Sequence, residues 1–228
     1  MSQNHLTSAG FPPDYEAQEI AIIRAVAPYT MTSTARVHAL IRAVRYIVSN
    51  DIPGDMVECG VWKGGSVMAM ALTLLGLHNR QRNLYLFDTF AGMTPPGRED
   101  VDYLGRPARE VLGEVQCMAS QEEVEAAVFA TGYDSAKFHF VRGAMEETIP
   151  AQAPATVSLL RLDTDWYEST RHELEHFYPR LAPGGVIIVD DYGHWRGARL
   201  AVDEYIARNK VRLFLQRIDY TGRIGVKL

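Results

Sequence analysis

Residues 157–191 read VSLLRLDTDWYESTRHELEHFYPRLAPGGVIIVDD, and the pattern of this stretch decides the fold. VSLLRLD (157–163) is a short apolar run ending in an acid. TRHELEHFYPRL (170–181) has helical spacing, and GVIIVDD (185–191) is a second apolar run ending in acids. A strand, a helix and another apolar strand make one crossover unit of a parallel sheet, because parallel strands need a long connection and are covered on both faces. Thr170 with Glu173 three residues on has the capping-box pattern and predicts the helix start. Pro183-Gly184-Gly185 predicts a turn into the second strand.

The same alternation extends in both directions. MVECGV (56–61), NLYLFDTF (83–90) and KFHFVRG (137–143) read as strands. GGSVMAMALTLLGL (64–77), SQEEVEAAVFATG (120–132) and ARLAVDEYIARN (198–209) read as helices, the second opened by a Ser120–Glu123 capping box. RLFLQRID (212–219) and RIGVKL (223–228) flank Tyr220–Gly222 as a hairpin. Upstream, Ile20, Ile23 and Val26 mark one helix. Val37, Leu40, Ile41, Val44 and Ile47 mark another, with Thr32, Ser33 and Thr34 as candidate caps and Pro53-Gly54 as its end. The expectation is an α/β fold: a doubly wound, mostly parallel seven-stranded sheet with an antiparallel C-terminal hairpin strand. We expect one domain over 1–228, with an arm and helices at 1–50 and an insertion at 91–119.

Composition narrows the function. With 228 residues, 47% hydrophobic and 22% charged, the chain has enough apolar surface for a core without metals or disulfides. A net charge of −5 disfavours non-specific nucleic-acid binding. Two cysteines, Cys59 and Cys117, make no disulfide framework, and a reducing, cytoplasmic setting is expected. No apolar run reaches the ~20 residues that span a bilayer, so no membrane partner is expected. The opening MSQNHLTSAGFPPDYE has neither a charged n-region nor an apolar h-region and predicts no signal peptide.

Glu58-Cys-Gly-Val-Trp-Lys-Gly-Gly-Ser66 follows the first strand and opens a helix, at the carboxyl edge where open α/β sheets bind ligands. Gly60 permits close backbone approach. The dinucleotide fingerprint is absent: Glu58 stands where that pattern has its first glycine, and a carboxylate repels a pyrophosphate. Glu58 suits the cationic part of a cofactor instead. Asp88, at the end of the next strand, is placed to accept ribose hydroxyls, so an adenosine-containing ligand is expected.

Asp163, Asp165, Asp190 and Asp191 converge if strands 157–163 and 185–191 are neighbours. Four like charges need a cation, and hard oxygen ligands select Mg²⁺, Mn²⁺ or Ca²⁺ over zinc. Solvated strand-end acids and helix caps are the alternative. His172 and His176 are one helical turn apart, and His194 follows the second acid pair. The irregular AGMTPPGREDVDYLGRPAREVLGEVQCMA (91–119) is expected to be a mobile acceptor lid. Gly92, Gly97 and Gly105 are its flexing points, Met93 and Tyr103 its apolar surface, and Asp100 and Asp102 its hydroxyl-binding groups.

Four stretches, VECGVWKGGS, LFDTFAGM, LRLDTDWYEST and GGVIIVDDYGHWRGARLAVDEY, together resemble the macrocin O-methyltransferase family from about Thr32 to Tyr205. The resemblance implies a Rossmann-like class I methyltransferase sandwich. It implies transfer of a methyl group from S-adenosylmethionine, with Mg²⁺ (or Mn²⁺), to a hydroxyl of a deoxysugar in a secondary metabolite. It makes Asp163, Asp190 and Asp191 the metal ligands and Asp165 the general base. Glu58, Gly60, Ser66, Asp88 and Asp163 become cofactor-binding residues. Catechol-type relatives carry a lysine three residues after the first metal-ligating Asp; here Trp166 stands there, which favours sugar chemistry. A small sugar-bearing acceptor and a homo-oligomer are expected. The rival readings are a phenolic O-methyltransferase, a nucleotide-dependent oxidoreductase, a metal-dependent hydrolase and a catalytically silent binding protein.

Overall fold

The computed structural model describes residues 10–112 and 117–228. Its strands are β1 (Asp55–Cys59), β2 (Leu84–Asp88), β3 (Phe138–Arg142), β4 (Val157–Leu162), β5 (Leu181–Val189), β6 (Leu213–Arg217) and β7 (Arg223–Lys227). They form one sheet in the order β3-β2-β1-β4-β5-β7-β6. The first five are parallel, and β7 runs antiparallel between β5 and β6, as the sequence predicts. Strand order reverses between β1 and β4, so the ligand crevice of this sheet type opens there.

The helices are α1 (Ala17–Val26), α2 (Thr34–Ser49), α3 (Gly65–Gly76), α4 (Ala108–Val111), α5 (Gln121–Phe129), α6 (Met145–Thr148), α7 (Tyr167–Phe177) and α8 (Arg196–Asn209). Two-residue alternation splits the core. Met56, Leu84, Leu86, Leu159, Val186 and Ile188 face a layer containing Val26, Leu40, Val44, Ala69 and Val124 from α1, α2, α3 and α5. Val57, Phe87, Leu160, Leu162, Ile187 and Val189 face Leu174 and Phe177 of α7 and Val202 and Tyr205 of α8. Ser33 is the cap of α2, accepting from the Arg36 amide at 3.2 Å, and the Ser120–Glu123 box opens α5.

Two local expectations are corrected. The helix after β4 starts at Tyr167, not Thr170, and Thr170 and Glu173 are buried inside it. Its capping acceptor comes from far away: Asp100 Oδ1 accepts from the Tyr167 amide at 2.8 Å. Pro183-Gly184-Gly185 is not a turn but lies within β5, where the register slips between Val157↔Leu181 and Leu159↔Val186. Among the described residues, no helix is long and apolar enough to cross a membrane.

Candidate active site

Neighbouring strands β4 and β5 end level with each other, Leu162 opposite Val189, and therefore deliver their acids to one place. Oxygens of Asp163, Asp190 and Asp191 lie within 4.8 Å of one another. Asp165, in the left-handed region at φ +67°, points back to the cluster. Its Oδ1 accepts from the Trp195 indole at 2.7 Å. Burial raises the proton affinity of Asp165, Asp190 and Asp191 alike, and the Asp163 charge adds to the effect. Asp191 Oδ2 is buried without a hydrogen-bond partner. An orphaned carboxylate oxygen among hard-oxygen neighbours fits a Mg²⁺-type ion.

The chain also supplies its own cations, which sequence reasoning missed. Arg161, 3% exposed, donates to Asp163 Oδ2 and Asp190 Oδ1, each at 2.7 Å, and to Glu58. Arg36 pairs with Asp190, and the Thr32 hydroxyl donates to the same carboxylate at 3.2 Å. The signal in the sequence was an arginine inside an otherwise apolar strand: a guanidinium there must be ion-paired. Glu58 is thus paired with Arg161, its register partner on β4. Burial nevertheless pushes the Glu58 carboxyl up to about 8, against the pull of Arg161.

The crevice has two lobes that share Met31, Trp62, Met93, Cys117, Asp163 and Asp165. The first, about 670 Å³, brings Gly60 and Asp88 together with Trp62, Ala144 and Met145. The second, about 960 Å³, has Glu58, Ser66, Arg161, Asp190, Asp191, His194 and Tyr220 in its wall. Glu58 and Ser66 thus line the lobe that holds Asp190 and Asp191, and Asp88 lines the adjoining one. Asp88 accepts from the Val61 and Trp62 amides at 2.6 and 3.1 Å and from the Phe90 amide at 2.8 Å, which fixes its carboxylate. Gly60, at φ +81°, is required by backbone proximity: a Cβ there would overlap the carbonyl oxygen of Asp163.

Within the insertion, the bridge Val101↔Pro107 closes a local turn and α4 follows it, while Asp102↔Trp195 joins the insertion to the start of α8. Asp100 and Asp102 are buried, which corrects their assignment to acceptor hydroxyls. Asp100 holds the Gly97 and Tyr167 amides; Asp102 holds the Leu104 and Arg106 amides and the Arg106 guanidinium. Met93 does reach the crevice, whereas positions 113–116 of the expected lid lie outside the described residues. His172 is spent on the Ile149 carbonyl at 3.0 Å, and neither it nor His176 belongs to the carboxylate cluster. His194 lines the second lobe, its Nδ1 2.7 Å from the Tyr220 hydroxyl.

A doubly wound sheet of this strand order, with its crevice at the β1/β4 reversal, is the class I O-methyltransferase architecture. The profile of the macrocin-O-methyltransferase (TylF) family matches residues 5–224, and the chain belongs to that family. It is 33% identical over 196 residues to the demethyldecarbamoylnovobiocin O-methyltransferase of Streptomyces niveus, covering 85% of this chain and 74% of that one. It is 29% identical over 218 residues to the mycinamicin III 3''-O-methyltransferase of Micromonospora griseorubida, covering 95% and 85%. The solved O-methyltransferase NovP superposes with a TM-score of 0.79 at 31% identity, over 87% of this chain and 82% of that one. The calicheamicin methyltransferase CalS11 shares the fold, with a TM-score of 0.65 at 19% identity over 99% and 98%. The chain is accordingly an O-methyltransferase enzyme.

Proposed function

We propose that this enzyme moves the methyl group of S-adenosylmethionine to a sugar hydroxyl of a secondary metabolite, with Mg²⁺ (or Mn²⁺) held by Asp163, Asp190 and Asp191. The observation that carries the reading is the partnerless, buried Asp191 Oδ2 within that three-carboxylate cluster. A bound divalent ion supplies Lewis acidity, lowering the pKa of an oxygen acid toward neutrality. The chain's own residues do the rest. Asp165, oriented by the Trp195 N–H and buried enough to hold a proton, takes the proton of the acceptor hydroxyl. The hydroxyl oxygen forms a bond to the methyl carbon while the C–S electron pair stays on sulfur, leaving S-adenosylhomocysteine. Asp88, already fixed by backbone amides, accepts the ribose hydroxyls in the first lobe. Orientation of the reactants in the two adjoining lobes contributes roughly 7–11 kcal/mol at best.

Support for the acceptor class comes from relatives. One, from Streptomyces olivaceus, is named for 4'-O-methylation of a tetracenomycin bearing a 2,3-dimethoxy-α-L-rhamnosyl group. In the same proposal the chain acts as one domain and as a homo-oligomer in the cytoplasm, without nucleic-acid or membrane partners. The test is methyl-labelled cofactor with sugar-bearing and phenolic acceptors, with and without Mg²⁺. Label on a sugar hydroxyl that disappears after chelation and returns with Mg²⁺ is expected. Full turnover after exhaustive chelation removes the metal role, and label on phenols alone removes the sugar assignment.

A further inference from the structure

The turn that follows β4 sets the backbone of the proposed base. Asp165 stands there at φ +67°, in the left-handed region that a residue with a side chain keeps only where its surroundings enforce it. The turn is closed across Asp165 by the Trp166 amide, which donates to the Thr164 carbonyl at 2.8 Å. On one side the Asp163 amide donates to the Cys59 carbonyl at 2.9 Å, which ties the turn to β1. On the other the Trp166 indole donates to the Thr94 carbonyl at 2.8 Å. Both ends are anchored, and Thr164 lies between them.

Thr164 carries a third anchor. A Cβ built on Gly60 would lie 3.4 Å from Thr164 Cγ2, so the methyl group of Thr164 packs on the Gly60 side. The Thr164 hydroxyl donates to Glu173 Oε2 at 3.2 Å, in the second turn of α7.

Glu173 does not owe its place to stability. It is fully buried, and its Oε1 has no hydrogen-bond partner. Burial raises its proton affinity well above that of an ordinary carboxyl, against the pull of the Thr164 hydrogen bond, and the charges of Glu146 and Asp163 add to the rise. Its neighbours on α7, Leu174 and Phe177, belong to the apolar core. An apolar side chain of similar length would avoid the desolvation of both oxygens. What the carboxyl supplies is one acceptor, and that acceptor is directed at the turn of the proposed base. Glu173 lines neither lobe of the crevice, whereas Thr164 lines the first.

We propose that Glu173 is a positioning residue: through the Thr164 hydroxyl it fixes the turn 163–166, which keeps Asp165 on the Trp195 donor and directed at the acceptor hydroxyl. The role in catalysis rests on the methyl-transfer reading above. The mechanical link from α7 to Asp165 does not.

The test is fluorine NMR of the full chain labelled with 5-fluorotryptophan. The three tryptophans, Trp62, Trp166 and Trp195, give three lines, and Trp195→Phe assigns the one bonded to Asp165. Glu173→Met keeps the length of the side chain and removes the acceptor. It is expected to shift the Trp195 line and leave the Trp62 line in place, while the urea midpoint at neutral pH holds or rises. Thr164→Val should shift the Trp195 line in the same direction, and the double variant no further than either single one. Glu173→Gln, a neutral acceptor, should return the line to the parental position. A Trp195 line unmoved in Glu173→Met and Thr164→Val overturns the proposal, as does an equal shift in Glu173→Gln. A lowered urea midpoint in Glu173→Met with all three lines displaced shows a structural role only and overturns it too. Labelled-methyl transfer to methyl α-L-rhamnoside reports separately. There kcat should fall about tenfold or more in Glu173→Met and Thr164→Val and recover in Glu173→Gln, with the KM for S-adenosylmethionine unchanged. Parental kcat in both variants overturns the positioning role. Failure of the parent to bind S-adenosylhomocysteine overturns the methyl-transfer reading instead, and the fluorine spectra then decide the link from α7 to Asp165.

Discussion

The indole N–H of Trp195 donates to Asp165 Oδ1 at 2.7 Å, and Trp195 is itself bridged to Asp102 of the insertion. The proposed base is thus oriented by a residue that the insertion holds in place. Trp195→Phe keeps most of the ring contact with Trp166 but removes the donor. A hydrogen bond to a charged acceptor is worth about 1.5–3 kcal/mol, so kcat is expected to fall about tenfold or more with little change in cofactor affinity. Steady-state kinetics with an unchanged kcat would detach Trp195 from the base.

Asp190 and Asp191 should respond in opposite ways to the same substitution. Asp190→Asn weakens the pairing of Arg36 and Arg161 and is expected to destabilise the protein by about 3–5 kcal/mol. Asp191→Asn removes a buried oxygen that lacks a partner, so the metal-free melting temperature should hold or rise by about 2–4 °C. Scanning calorimetry with and without Mg²⁺ checks both: the stabilisation by Mg²⁺ should vanish in Asp191→Asn. Retention of that shift would place the ion elsewhere.

Arg161→Met deletes the cation shared by Glu58, Asp163 and Asp190. The loss is expected to be about 3–5 kcal/mol in urea unfolding, because the buried Glu58 and Asp190 and the half-buried Asp163 are left without it. Added Mg²⁺ should restore part of the loss. A variant as stable as the parent would show that the acids hold together without the guanidinium.

Stability should fall as pH rises. Burial raises Glu58 to about 8 and Glu173 well above the ordinary 4.5, so between those values the folded chain binds more protons than the unfolded one. The stabilisation is complete below 4.5 and is lost as pH climbs through the folded values. Urea midpoints at pH 5.5 and 8.5 should show this drop. Glu173→Gln, which still accepts from the Thr164 hydroxyl, should flatten it. An unaltered slope in that variant would mean that Glu173 is ionised when folded.

Asp100→Ala strips acceptors from the Gly97 and Tyr167 amides. Removing the acceptor of these two partly exposed amides costs about 0.5–1.5 kcal/mol for each bond, and loosens both the insertion and the start of α7. Trypsin cleavage after Arg98, whose side chain is 93% exposed, should accelerate in the variant. Cleavage at the parental rate would show that the bridges hold the segment without Asp100.

The sheet was legible because each central strand is covered on both faces and so appears as a compact apolar run, as in VSLLRLD and GVIIVDD. What failed was long-range. The start of α7 is set by Asp100, 67 residues upstream of Tyr167, which no local capping pattern reveals. Pro183-Gly184-Gly185 suggested a turn, yet the β4 pairing carries β5 through it as a register slip. The acids of the site were legible because strand ends announce themselves. Arg161 was not, because its partners Glu58 and Asp190 are distant in sequence. Asp100 and Asp102 look like solvent-facing acids in a polar segment, and only tertiary contacts show them buried.

Gly60 also joins two parts of the chemistry. Its amide is bonded to the Phe87 carbonyl beside Asp88, and its missing side chain makes room for the backbone of Asp163. The proposed seat of the methyl donor and the proposed seat of the metal therefore share a single hinge pin, and a shift of one displaces the other.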